Sequence, residues 1–232
     1  MRHTILVLNS KGGCGKTTIA TNLASYFAGL GMQTAMVDYD PQGSSTKWNR
    51  IRGEERPQIH GIAAFRETRN ANATRAWQLA PPVGTERVVI DAPAGIHGFH
   101  LEDYVRRVDT ILIPVLPSSI DIYAASDFIR DLLLVGRARV HKTRLAVVAN
   151  RVRARTNSYL ALRNFLQTLN IPFVAALRDT QNYVRAAEQG IGIHDLPPHL
   201  AQRDIEQWQG LLDWLDEGIV REIGSTGSDQ TG

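Results

Sequence analysis

A chain of 232 residues, 43% of them apolar and 21% charged, is long enough to bury one sizeable core and short for two, so a single domain is expected. Its lone cysteine, Cys14, excludes an internal disulfide, a four-cysteine zinc site and an iron–sulfur cluster held within one chain, and no run approaches the roughly 20 apolar residues that span a bilayer. The net charge of +3 is unevenly spread: residues 130–163 carry nine Lys or Arg against Asp131 alone, and residues 200–232 carry two Arg against seven acids.

An apolar run of strand length at 4–9 opens the chain with no signal peptide before it, which predicts a cytoplasmic protein. It leads at once into Ser10-Lys11-Gly12-Gly13-Cys14-Gly15-Lys16-Thr17-Thr18. A chance match to such a string in a chain this long has a probability on the order of 10⁻⁵ to 10⁻⁴, so a mere glycine turn is a poor reading. A loop of this kind aims backbone N–H groups at the β- and γ-phosphates of a nucleotide and sets the anion at a helix N-terminus. Gly12, Gly13 and Gly15 are expected to take backbone conformations closed to other residues. Lys16 supplies charge and Thr17 offers a hydroxyl to Mg²⁺. Cys14 reads as a small residue in a variable slot rather than a redox sensor.

The next element is a helix over 17–30, with Ile19, Leu23, Tyr26, Phe27 and Leu30 on one face and a stop at Gly31. A strand over 33–38 then delivers Asp38 and Asp40, whose spacing places both side chains on one face if the strand continues. Residues 44–86 are polar and predict short helices with a weak extended stretch at 57–59. The apolar strand 87–91 ends in Asp91, the carboxylate that a Walker B element uses to hold Mg²⁺ through water.

Further strands are predicted at 110–115, 144–149 and 171–175, and helices at 119–135, 158–169, 180–189 and 200–223. A disordered tail is expected at 224–232. This alternation of strand and helix is the signature of an α/β fold: one domain over 1–223, a mostly parallel twisted sheet of about six to eight strands, helices on both faces, and a site at the strands' carboxyl ends. Trp208, Leu211, Leu212, Trp214, Leu215 and Ile219 make an apolar stripe that reads as a docked core helix. Arg137, Arg139, Lys142, Arg151, Arg153, Arg155 and Arg163 are candidates for DNA phosphates on charge alone, with Arg178, Arg185 and Lys47 as further contributors.

The loop departs from the usual G-x-x-x-x-G-K-[ST] pattern: Ser10 stands at the first glycine and Lys11 follows it. In this deviant P-loop, and in Asp38-Tyr39-Asp40-Pro41-Gln42-Gly43, the chain resembles the ParA/MinD group of P-loop ATPases over most of its length. By that resemblance, Lys11 reaches the phosphates of ATP held by a second subunit, Asp40 orients the attacking water, Asp38 supports the Mg²⁺ shell and Gln42 belongs to a switch. Asn150 matches an adenine-contacting asparagine; the family often has proline where Ala94 stands. The nucleotide loop as a whole comprises Gly12 to Thr18, with Lys11, Lys16 and Asp40 as the catalytic set and Thr17, Asp38 and Asp91 around the metal.

The resemblance further implies an ATP hydrolase of slow basal rate that forms an ATP-dependent homodimer and binds non-specific double-stranded DNA over the nucleoid. A ParB-like or cargo-adaptor protein would stimulate it, and the cargo would be a plasmid, a chromosome or an assembly such as a carboxysome or chemotaxis cluster. MinD-like relatives act on membranes through a basic C-terminal helix; the C-terminus here is acidic, which argues for DNA and against a membrane. A metabolic enzyme of dethiobiotin-synthetase type and a nucleotide-binding module without hydrolysis are the other readings.

Overall fold

The computed structural model describes residues 2–66, 80–96, 98–169 and 171–226. Seven strands form one sheet, parallel throughout: β1 (His3–Val7), β2 (Thr34–Asp38), β3 (Ile59–Ile62), β4 (Arg87–Asp91), β5 (Thr110–Val115), β6 (Arg144–Val152) and β7 (Phe173–Arg178). Their order is β3-β2-β4-β1-β5-β6-β7. Eight helices are described: α1 (Lys16–Gly29), α2 (Ser44–Ile51), α3 (Phe99–Val105), α4 (Ser119–Leu134), α5 (Asn157–Thr168), α6 (Gln181–Glu188), α7 (Pro198–Glu206) and α8 (Gln209–Thr226).

Both faces of the sheet are covered, and so its central strands are apolar without alternation. Ile5 and Val7 of β1, with Met36, Val89, Leu112 and Val148, pack under α1 and the C-terminal helices through Leu23, Phe27, Trp208, Leu211 and Leu215. Leu6, Ala35, Ile90, Ile111 and Val147 pack on the opposite side against α3, α4 and α5 through Leu101, Phe128, Leu132, Leu162 and Leu166. After β1 the chain crosses to one side of the sheet and from β5 it builds the other. The carboxyl end of β1 therefore sits where the crossings diverge, the place at which open α/β sheets bind ligands.

Three elements differ from expectation. The edge strand lies at Ile59–Ile62 rather than 57–59. The short helix α3 was not foreseen, because among its residues with described side chains only Leu101 and Val105 are buried. The helix expected over 200–223 is two: α7 begins at Pro198, where proline suits a first turn, and ends at Glu206. The break is made by Trp208, fully buried, whose indole N–H donates to Tyr183 Oη at 2.9 Å. As expected, Leu211, Leu212 and Leu215 of the stripe are buried, with Trp214 packed against them. The backbone of α8 continues to Thr226, three residues past the expected boundary, while 227–232 and, within the polar 44–86 stretch, residues 67–79 lie outside the described residues.

Candidate active site

The loop from β1 to α1 is pinned at its start by Asn9, a residue that the sequence did not single out. Its Nδ2 donates to Pro114 O at 2.6 Å and its Oδ1 accepts from Lys11 N–H at 3.2 Å. Gly13 and Gly15 have φ of 74° and 97°, left-handed values that exclude other residues, and a methyl on Gly15 would run into the Asn150 amide. Gly12 differs from the expectation: its φ is not positive and a Cβ there meets nothing within 4 Å, so the fold itself does not demand glycine. Its side faces open space beside Lys11.

Gly15 is the N-cap of α1 and supplies no side-chain cap, which leaves the helix's first N–H groups for an anion. Lys16, only 7% exposed, donates from Nζ to Lys11 O at 3.0 Å. The Cys14 thiol donates to the same carbonyl, and burial pushes it above its ordinary range, so it stays protonated and inert. Lys11 is half-buried, and its ammonium has no ion-pair partner among the described residues.

Asp38 and Asp40 do not share a strand face, since β2 ends at Asp38 and Asp40 lies in the following turn. Asp38 is 1% exposed and fully engaged: Oδ1 accepts from Asp40 N–H at 3.0 Å, and Oδ2 from Thr46 N–H at 2.9 Å and Thr46 Oγ1 at 2.8 Å. It thereby anchors the first turn of α2. Asp40 is half-buried, and its Oδ1 accepts from Gln42 N–H at 2.9 Å.

Asp91 stands opposite Asp38 in register, is fully buried, and has no hydrogen-bond partner for either oxygen. Burial pushes its carboxyl up to about 7; the Thr17 hydroxyl opposes the shift, Asp38 adds to it, Ser45 opposes it and Asp40 adds to it. Ser45 Oγ is likewise buried and unpartnered. Two unpaired carboxylate oxygens beside Thr17 and Ser45 fit a Mg²⁺ that keeps waters and takes phosphate oxygens, as this ion prefers. Among the described residues no three His, Cys, Asp or Glu form a metal cage of their own.

Beside the loop lies a cavity of about 470 Å³ lined by Thr18, Asn150, Arg151, Asp179, Thr180 and Tyr183, with room for a base and sugar. Asn150 is 3% exposed, its Nδ2 donates to Cys14 O at 2.9 Å, and its Oδ1 accepts from Arg151 N–H at 3.0 Å. Its amide thus braces the phosphate loop from the cavity's floor. Asp179 and Thr180, between β7 and α6, line this cavity although the sequence did not single them out, the strand being expected to end at 175; Thr180, whose hydroxyl caps α6, was the available signal.

The seven basic candidates do not form one surface. Arg137, Arg139 and Lys142 precede β6 and Arg151, Arg153 and Arg155 follow or end it, and a strand of nine residues separates the two groups by roughly 26 Å. Arg163 is exposed on α5. Arg137 lies 3.5 Å from Glu102 and Arg153 lies 2.8 Å from Asp179. Arg178, a suggested contributor, is bound to the buried Asp204, which raises its pKa through that hydrogen bond and holds it in the fold. Lys47 and Arg185 are exposed on α2 and α6.

A family model described as the CobQ/CobB/MinD/ParA nucleotide-binding domain matches residues 5–193. The chain is 29% identical over 194 residues to the maintenance of carboxysome distribution protein A of Halothiobacillus neapolitanus, covering 83% of this chain and 87% of that one. It is 30% identical over 193 residues to the protein of that name from Gloeobacter kilaueensis, covering 82% and 83%. A plasmid partition protein from Borrelia burgdorferi B31 bound to AMPPNP shares the fold with a TM-score of 0.73 at 14% identity, covering 94% of this chain and 100% of that one. An ATP complex of Cyanothece McdA does so with a TM-score of 0.63 at 16% identity, covering 90% and 96%.

Proposed function

Since the chain belongs to the CobQ/CobB/MinD/ParA nucleotide-binding family, we propose that it is a ParA-type positioning ATPase: an ATP-dependent sandwich dimer that binds non-specific DNA and distributes a cargo. Hydrolysis of ATP to ADP and phosphate is the chemistry of the family, and the observation that carries the reading here is Lys11. Its ammonium has no ion-pair partner within its own chain's described residues and adjoins a glycine that faces open space. That arrangement supports the reading of a charge reserved for a second subunit.

Phosphoryl transfer of this type needs positioning and charge more than covalent chemistry. Lys16 exchanges the Lys11 carbonyl for phosphate oxygens, and the open N–H groups of α1 take the remaining charge. Thr17 and Asp91 would hold Mg²⁺, which would supply the charge that neutralises the phosphate oxygens during transfer. Asp38, with both oxygens occupied, positions Asp40 and the start of α2 instead of binding the metal directly. Asp40 orients the attacking water, and Lys11 completes the charge only on dimerisation, so basal turnover is slow.

Against the membrane-bound alternative, Trp208, Leu211, Leu212 and Leu215 of the C-terminal apolar stripe are buried on the sheet. No helix among the described residues is long and apolar enough to cross a membrane. The reading places the protein in the cytoplasm on the nucleoid, with an adaptor protein that accelerates hydrolysis. The names of the two carboxysome-distribution relatives support a protein assembly as cargo. An electrophoretic shift of random duplex with ATP, ADP or no nucleotide tests the reading: binding with ATP alone is expected, and equal binding in all three states would contradict it.

A further inference from the structure

The base cavity shares lining residues with a second cavity of about 250 Å³, which Arg153, Tyr159, Arg203 and Gln207 also line. Arg178 and Asp179 line both. Arg178 is fixed there. Its guanidinium is held by Asp204, which is fully buried and also accepts from Asn182 Nδ2 at 2.6 Å, and its N–H donates to Gln207 Oε1 at 2.9 Å.

The backbone N–H of Asp179 donates to Val152 O at 3.0 Å. Its side chain is 40% exposed and accepts from Arg153 Nε at 3.1 Å and Nη2 at 2.8 Å. An ion pair so exposed is weak and exchanges partners readily. The irregularity of β6 between Ala149 and Val152 turns Arg151 into the base cavity and leaves Arg153 in the neighbouring cleft. Arg203 has no ion-pair partner among the described residues.

The geometry points to the cleft between Arg153 and Arg203 as a site for DNA backbone phosphate, with Asp179 as its latch. In the structure Asp179 occupies Arg153, beside the base cavity. A nucleotide seated there offers hydroxyl and amino donors to the carboxylate, which turns towards them and frees Arg153. Arg153 and Arg203 then face the cleft with no acid between them, because Asp204 is buried and spent on Arg178. A phosphodiester oxygen accepts from both guanidiniums, as this fork favours. The inference rests on the DNA-binding reading and adds to it how nucleotide occupancy reaches the DNA.

The test is fluorescence anisotropy of a labelled random-sequence duplex with the full chain, with and without Mg²⁺-ATP, over a salt series. Asp179→Asn is expected to bind duplex without nucleotide about as tightly as the unaltered protein does with ATP, and to bind a fluorescent ATP analogue more weakly. Arg153→Gln and Arg203→Gln each weaken ATP-state binding and lower the slope of log affinity against log salt by about one, whereas Arg130→Gln, on α4, does not alter the nucleotide response. An Asp179→Asn protein that still needs ATP, or Arg153 and Arg203 variants with unchanged affinity and slope, would overturn the latch. Failure of the DNA reading itself has a different sign: the unaltered protein binds duplex in no nucleotide state.

Discussion

Asp38 and Asp91 face each other in register across β2 and β4, both buried, yet only Asp38 has partners for its carboxylate. Burying an unpaired carboxyl is costly, and a neutral amide of the same shape costs less. Asp91→Asn is therefore expected to raise the thermal midpoint of the nucleotide-free protein at neutral pH while raising the Mg²⁺ concentration needed for hydrolysis by about 10- to 100-fold. Differential scanning fluorimetry and a Mg²⁺ titration of phosphate release check the two halves. A lower midpoint would show that Asp91 has a partner in solution.

Two glycines separated by three positions give opposite outcomes. Gly15→Ala forces a side chain onto φ of 97° and into the Asn150 amide, so nucleotide binding is lost. The Cβ of Gly12→Leu meets nothing within 4 Å, so circular dichroism and melting are expected to stay normal while the ATP-dependent dimer disappears. Fluorescent nucleotide binding and light scattering separate them.

His194 packs at 4.8 Å from Tyr26 and 6.0 Å from Trp208, and its Nδ1 is buried without a partner. Burial lowers its pKa from 6.5, against a smaller pull upwards from Asp195. The native state therefore binds the proton less tightly than the unfolded chain. Stability from this residue is complete above 6.5 and is lost as pH falls through that value towards the depressed native pKa. Urea midpoints measured on both sides of this window are expected to drop on the acid side, and His194→Phe is expected to flatten that part of the profile.

Asp204 is fully buried and joins Arg178, Asn182 and the helix that carries it. Asp204→Ala leaves the guanidinium and the amide without their acceptor and is expected to cost about 3 kcal/mol in urea unfolding. A change under about 0.5 kcal/mol would mean that water replaces the carboxylate without loss.

How much of this was legible in the sequence follows from how local each feature is. The phosphate loop, Asp91 and the alternation of strands and helices are set by neighbours in the chain, and spacing alone located them. The brace from Asn150 to Cys14, the 2.6 Å bond from Ile193 N–H to Asn22 Oδ1 and the Trp208 break join residues far apart in sequence, and no local pattern carries them. Charge misled in a specific way: nine basic residues within 130–163 read as one patch, but β6 runs straight through their middle and carries Arg151, Arg153 and Arg155 to the opposite end of the sheet. Asp38 and Asp40 misled similarly, because the strand stops between them.

The central claim is that Lys11 serves a second subunit, and sedimentation of the ATP-loaded chain tests it most directly. Asp40→Ala, which retains ATP, is expected to sediment at twice the chain mass with Mg²⁺-ATP and at the single-chain mass with ADP, and adding Lys11→Ala is expected to return it to the single-chain mass in both. A single-chain mass throughout, or a dimer that persists without Lys11, would contradict the account.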